Sequence, residues 1–119
     1  MTKAACKHFN NPDEVRTFEK GKLELLNIGD GVVGLLTLEP GWRWSEHVKP
    51  IVNTQWCEAP HFQYQLSGQL HVAMADGSEF DTIKGHVAWF PSGHDAWVVG
   101  NEPVVLVDWS GAMHYAEKK

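Results

Sequence analysis

The sequence predicts an all-β sandwich or barrel folded as a single domain, and three observations predict it. The chain has 119 residues, one domain's worth, with 43% hydrophobic and 21% charged residues, the make-up of an ordinary globular protein. From Lys22 onward, short apolar or alternating runs are separated by turn residues, a pattern that builds strands rather than helices. Asp76-Gly77 between two such runs is a strong hairpin signal, because both residues tolerate the positive φ of a type I′ turn.

Taken in order, Asn11-Pro12-Asp13-Glu14 reads as a helix start: Asn is an N-cap, proline fits the first helical position, and two acids face the positive end of the dipole. Gly21 ends it, so a short N-terminal helix of one or two turns is expected. Strands are expected near Lys22–Asn27, Val32–Leu38, Trp42–His47, His61–Ser67, Gln69–Ala75, Ser78–Thr82, His86–Phe90, Ala96–Val99 and Val104–Trp109. The turns between them are Gly29-Asp30-Gly31, Glu39-Pro40-Gly41, Asp76-Gly77, Gly85, Pro91-Ser92-Gly93 and Asn101-Glu102-Pro103. Gly41, Gly68, Gly85 and Gly93 are expected at corners where φ is positive or a side chain would clash. Lys49 to Pro60 is a long irregular stretch, and a loop of that length in a compact β domain is more often functional than accidental. The polar tail from His114 to Lys119 is expected to be loose.

Ten Lys+Arg against fifteen Asp+Glu give 10 − 15 = −5, which argues against a nucleic-acid partner. The longest aliphatic runs, Val32 to Leu38 and Val104 to Val107, fall far short of the roughly 20 apolar residues of a membrane-spanning helix. With no signal-peptide-like start and two cysteines that make no disulfide framework, a cytoplasmic location is the expectation. Seven histidines and six tryptophans are many for this length, and histidine is the commonest metal ligand while tryptophan often walls pockets. Short edge strands and abundant aromatic area also lead us to expect a homodimer.

Two segments resemble the paired motifs of the cupin superfamily, a family of small jelly-roll barrels. In the second motif Gly85, five residues, Pro91, one residue and Gly93 match; the family's usual histidine falls at Ala96, and His94 stands two residues earlier. In the first, Gly41 and His47 fit the opening and Gly68 the closing glycine, with about ten extra loop residues between. Counting back from Gly68 puts His61 at the family's glutamate position, Cys57 at its second histidine and Gln55 at its first. No His-x-His occurs. The resemblance covers roughly residues 22 to 109 and implies a cupin-type double-stranded β-helix, one domain over residues 1 to 119.

On that resemblance, His47, Cys57, His61 and His94 are the candidate ligands of a divalent transition metal. In a barrel, residues of one strand parity point inward, so His61, Gln63 and Gln65 share a face. An N/N/N/S set suits zinc or iron, and also nickel or copper, and excludes calcium and magnesium on ligand hardness. Four protein ligands would close a structural site; three would leave a position for water or substrate. Gln63, Gln65 and Trp56 are the candidate contacts to a small-molecule ligand, Trp56 as a lid or wall. Plainer roles stand beside these. His61 can be an interior histidine bonded to Gln63 or a carbonyl, His94 a rim residue paired with Asp95, His47 a surface residue, and Cys57 a small buried hydrophobe. Trp42, Trp44, Trp89, Trp97 and Trp109 read as core or dimer contacts. Two functions remain in view: a metal-dependent enzyme on a small organic molecule, of the dioxygenase, isomerase, cyclase or lyase types the resemblance implies, or a non-catalytic module that binds or senses a ligand.

Overall fold

In the computed structural model, which describes residues 3–109, strand alternation sorts side chains between a closed interior and an outer surface. The strands are β1 (Glu14–Phe18), β2 (Gly21–Ile28), β3 (Gly31–Leu38), β4 (His61–Ser67), β5 (Gln69–Met74), β6 (Glu79–Ile83), β7 (Val87–Phe90), β8 (His94–Val99) and β9 (Val104–Asp108). Two one-turn helices, α1 (Trp44–His47) and α2 (Lys49–Val52), lie between β3 and β4. A six-stranded antiparallel sheet in the order β1-β2-β3-β9-β4-β7 faces a three-stranded antiparallel sheet in the order β6-β5-β8. Leu23, Leu25, Leu36, Leu38, Leu70, Val72, Val98, Val104 and Leu106 fill the space between them with Trp42 and Trp44. No helix among the described residues is long and apolar enough to cross a membrane. The tail from His114 to Lys119 lies outside the described residues.

Three local expectations are corrected. The segment read as an N-terminal helix is strand β1, paired with β2 from Glu14↔Leu25 to Phe18↔Gly21. A helix here would be too short to offset its nucleation cost, whereas an edge strand takes its hydrogen bonds from a ladder already formed. Asp13, the supposed dipole acid, instead accepts the Asn27 N–H at 2.7 Å. Trp42–His47 is not a strand: Arg43 is extended and bridges Trp97, and then the chain turns into α1, where the His47 and Val48 N–H groups bond back to Arg43 and Trp44. Both Trp42 and Trp44 are nevertheless buried. The Asp76-Gly77 hairpin forms, but only Gly77 has positive φ. The Gly77 N–H bonds to Met74 O and the Met74 N–H to Ser78 O, a three-residue loop closed by a glycine rather than a type I′ turn.

All four corner glycines have positive φ. Gly68 is the most constrained: a Cβ there would sit 2.6 Å from Pro103 O and 2.9 Å from Val104 Cα. It lets β4 turn into β5, and so from the six-stranded sheet into the three-stranded one, against the start of β9. Just before it, Gln65 Nε2 donates to Gly68 O (2.9 Å) and Thr82 O (3.0 Å), and the Thr82 hydroxyl donates to Gln65 Oε1 at 2.5 Å. Gln65 therefore ties this corner together and its amide is engaged within the protein.

Candidate metal centre

Three donors meet in the interior. Cys57, His61 and His94 each offer one ligand atom, these atoms lie within 4.8 Å of one another, and all three residues are buried. Inward parity on β4 delivers His61 together with Gln63 and Gln65, all three buried between exposed Phe62, Tyr64 and Leu66. His94 opens β8 immediately after the Gly93 turn. Cys57 is held by backbone: its N–H bonds to His94 O (2.9 Å) and its carbonyl accepts the Gly93 N–H (2.8 Å). That bridge pins the end of the long loop to β8 and carries the thiol to within 4.0 Å of His61 Nε2. A cupin-like barrel that set their strands side by side would put His61 and His94 on one sheet. They stand instead on opposite sheets, because β4 pairs with β7 and β9 while β8 pairs with β5.

Both imidazoles are oriented through Nδ1. His94 Nδ1 bonds to Pro91 O at 3.1 Å, and His61 Nδ1 bonds to the Asp108 carboxylate, whose other oxygen accepts the Phe62 N–H at 3.2 Å. Of the plainer roles, His61 keeps that of a hydrogen-bonded interior histidine, though with a different partner, while His94 is not the rim residue expected. His94 is an interior residue, and Asp95 is engaged with the Ser45 and Ala96 N–H groups; the partner of His61 is Asp108 rather than Gln63. Phe90 packs against both rings, at 5.1 Å from His61 and 4.7 Å from His94 between centroids.

The electrostatics divide the two histidines. Burial pushes the His61 imidazole down, but hydrogen bonds and charge from Asp108 and Cys57 outweigh it and raise its pKa to about 9. Burial lowers His94 to about 4, and a positively charged His61 adds to the effect. Without metal the centre therefore holds an imidazolium–carboxylate pair beside a neutral imidazole. The donor set fits a transition metal. Tetrahedral coordination at ordinary bond lengths puts sulfur and nitrogen about 3.6 Å apart, so the observed 4.0 Å needs only a small contraction. Asp108 behind His61 is the carboxylate–histidine arrangement that orients a metal-bound imidazole and raises its basicity.

The other expected site residues lie elsewhere. His47 is outside this group: its Nδ1 accepts the Arg43 N–H at 3.0 Å and its Nε2 faces Glu19 at 3.3 Å. Half-buried Trp56 accepts the Thr54 hydroxyl on its carbonyl and does not line the central cavity, nor does Gln65. Gln63 does. That cavity is narrow, with room for water-sized groups over only a small part of it. Its walls are Cys57, His61, His94 and Gln63 with Trp42, Trp44, Phe90 and aliphatic side chains. Gln63 Nε2 and Trp42 Nε1, both buried on this cavity, have no hydrogen-bond acceptor among the described residues. Such a donor costs about 1–3 kcal/mol when left unmet.

Sequence reasoning missed Asp108 and the polar end of Trp42. The first had a signal: Val104, Leu106 and Asp108 share one parity, so an acid occupies an inward position of an otherwise apolar strand. The second had none, since a core tryptophan and a cavity-lining one look alike in sequence.

Two facing antiparallel sheets that enclose a cavity are the jelly-roll of the cupin fold, and the chain has that fold. Solved structures similar to it include the oxalate decarboxylase of Bacillus subtilis, as an S161A mutant (23% identity over 87% of this chain, TM-score 0.64). The Lactobacillus farciminis oxalate decarboxylase, in its formate complex, matches 82% of the chain at 17% identity with a TM-score of 0.62. A cupin-like protein of Thermotoga maritima matches 79% of this chain and 70% of its own at 17% identity, with a TM-score of 0.57. The chain spans only 29–30% of the length of the two decarboxylases, and at these identities the likeness carries the fold alone. No family model matches the sequence, and no curated protein does.

Proposed function

We propose that this protein binds one divalent transition metal through Cys57, His61 and His94 and acts as a metal-dependent enzyme on a small organic molecule in the cavity. The observation that carries this reading is the buried group itself: three ligand atoms from three segments within 4.8 Å, one of them backed by a buried carboxylate. Two imidazoles and a thiolate suit zinc or iron, with nickel or copper also accommodated. A metal with three protein ligands keeps a position for water or substrate and supplies Lewis acidity there. Asp108 fixes the His61 ring, Pro91 O fixes His94, and the apolar walls exclude bulk water.

A second reading, a ligand-binding or sensing module, is favoured by one feature: no carboxylate lines the cavity among the described residues, so a general acid–base group is not evident. The test of the metal reading is metal content per chain in protein purified without affinity histidines. His61→Ala and Cys57→Ser should lose most of the metal, while His47→Ala and His86→Ala keep it. Failure of the wild type to take up zinc, iron, nickel or copper overturns the reading. Product formation from candidate small molecules, present with metal and absent without it, then separates enzyme from sensor.

We propose also that two copies pair through the outer face of β4 and β7, where Phe62, Tyr64, Leu66, Val87 and Trp89 are exposed beside Trp109, and β7 is a sheet edge. Light scattering giving the mass of one 13.4 kDa chain at micromolar concentration would refute it.

A further inference from the structure

Two of the cavity's polar groups have a use that the metal ligands do not explain. Trp42 Nε1 and Gln63 Nε2 are N–H donors, both belong to residues only 2% exposed, and both line the cavity that Cys57, His61 and His94 line. They come from different parts of the chain. Trp42 precedes α1 and is fastened to β8 where its carbonyl accepts the Val98 N–H at 3.0 Å. Gln63 lies on the inner face of β4, two residues beyond His61. An indole nitrogen is a donor only, so no alternative placement of its atoms satisfies Trp42; it needs an acceptor brought from outside.

The rest of the cavity restricts what that acceptor belongs to. Leu36, Leu38, Leu70, Phe90 and Leu106 supply apolar side chains, and among the described residues no acid lines the space to receive a cation. Its narrowness limits a ligand to a few heavy atoms. A divalent ion bound by one thiolate and two neutral imidazoles would carry a net +1, and Asp108, which offsets it, lies behind His61 and off the cavity wall. Two buried N–H donors without an acceptor thus belong to residues lining the same cavity as the three candidate ligands, and a metal held there would add positive charge beside them.

We propose that Trp42 and Gln63 form a donor pair for the carboxylate of a small aliphatic acid bound beside the metal, making small monocarboxylates the ligand class of this cavity. This rests on the metal reading above and extends it to two residues that hold no metal.

The experiment uses cobalt(II)-loaded protein, whose visible absorption reports on the metal's surroundings, titrated with formate, acetate and propionate, and in parallel with acetamide and methylammonium. The carboxylates should shift the spectrum saturably, acetamide more weakly, and methylammonium not at all. Trp42→Phe and Gln63→Leu should each weaken acetate binding about tenfold or more, the scale of one hydrogen bond to a charged group, with cobalt per chain unchanged. Gln63→Glu, nearly the same shape, should abolish acetate binding by repulsion and serves if the apolar variant fails to fold. A loaded wild type indifferent to carboxylates, or variants that bind acetate as tightly as wild type, overturns this proposal and leaves the metal reading standing. A wild type that takes up no cobalt overturns both.

Discussion

Replacing Asp108 with asparagine separates two effects that the carboxylate exerts on metal binding in opposite directions. Asp108 accepts the His61 Nδ1 proton on one oxygen and the Phe62 N–H on the other. Asparagine has a single acceptor oxygen. If that oxygen stays on His61, its NH2 group meets the Phe62 N–H, donor against donor, and the bond to His61 loses its charge. Loss of such a supporting carboxylate weakens metal binding roughly 10–100-fold, or about 1.4–2.7 kcal/mol. The same carboxylate, however, helps to raise metal-free His61 to about 9. At pH 7 a metal must displace that proton, and two pH units correspond to about a hundredfold, near 3 kcal/mol. In Asp108→Asn, burial lowers the imidazole and this competition disappears. Above pH 9 the variant should therefore bind zinc about 10–100-fold more weakly than wild type, whereas at pH 7 the gap should close to within about tenfold. Competition against a chromophoric chelator from pH 6 to 10 measures both, with circular dichroism to confirm the fold and exposed Asp81→Asn as the control. Parallel pH profiles for the two proteins, or equal affinities above pH 9, would rule out these opposing roles for Asp108.

The remaining predictions concern stability. In metal-free protein, His61 contributes stability that is complete below its unfolded value of 6.5 and is lost as pH rises through about 9. His94, depressed to about 4, contributes stability that is present above 6.5 and lost as pH falls. Each is worth about 3 kcal/mol at most, so metal-free protein should melt highest near pH 6.5; a melting temperature that climbs steadily to pH 9 contradicts this. Gly68→Ala puts a Cβ against Pro103 O at φ +77 and should cost at least about 1–3 kcal/mol in urea unfolding, with metal content unchanged in the folded fraction. Thr82→Val leaves Gln65 Oε1 without its hydroxyl donor inside the corner below Gly68; a loss of about 1–3 kcal/mol is expected, again without loss of metal. Full stability in that variant would show that Gln65 is not what ties the corner.

Features that depend on neighbours along the chain could be read before any coordinates. Alternation set which faces turn inward, so β4 from His61 to Ser67 was legible to the residue, as was the shared interior face of His61, Gln63 and Gln65. Glycine and proline marked the corners, since only a few residues accept positive φ. Where local preference was weak, longer-range pairing decided. Glu14–Phe18 became a strand because β2 offered it a ladder, and Trp42–His47 became a bridge and a turn of helix because β8 took up Arg43 and the Trp42 carbonyl. The candidate metal centre belongs mostly to that second class. The resemblance made His47 and Cys57 alike candidate ligands, but a ligand must arrive within a few ångströms. A backbone bridge to His94 brings Cys57 there, while His47 is turned toward Arg43 and Glu19. Asp108 lies 47 residues from His61 and meets it because β9 pairs with β4, a coincidence of sheet order that no local pattern encodes.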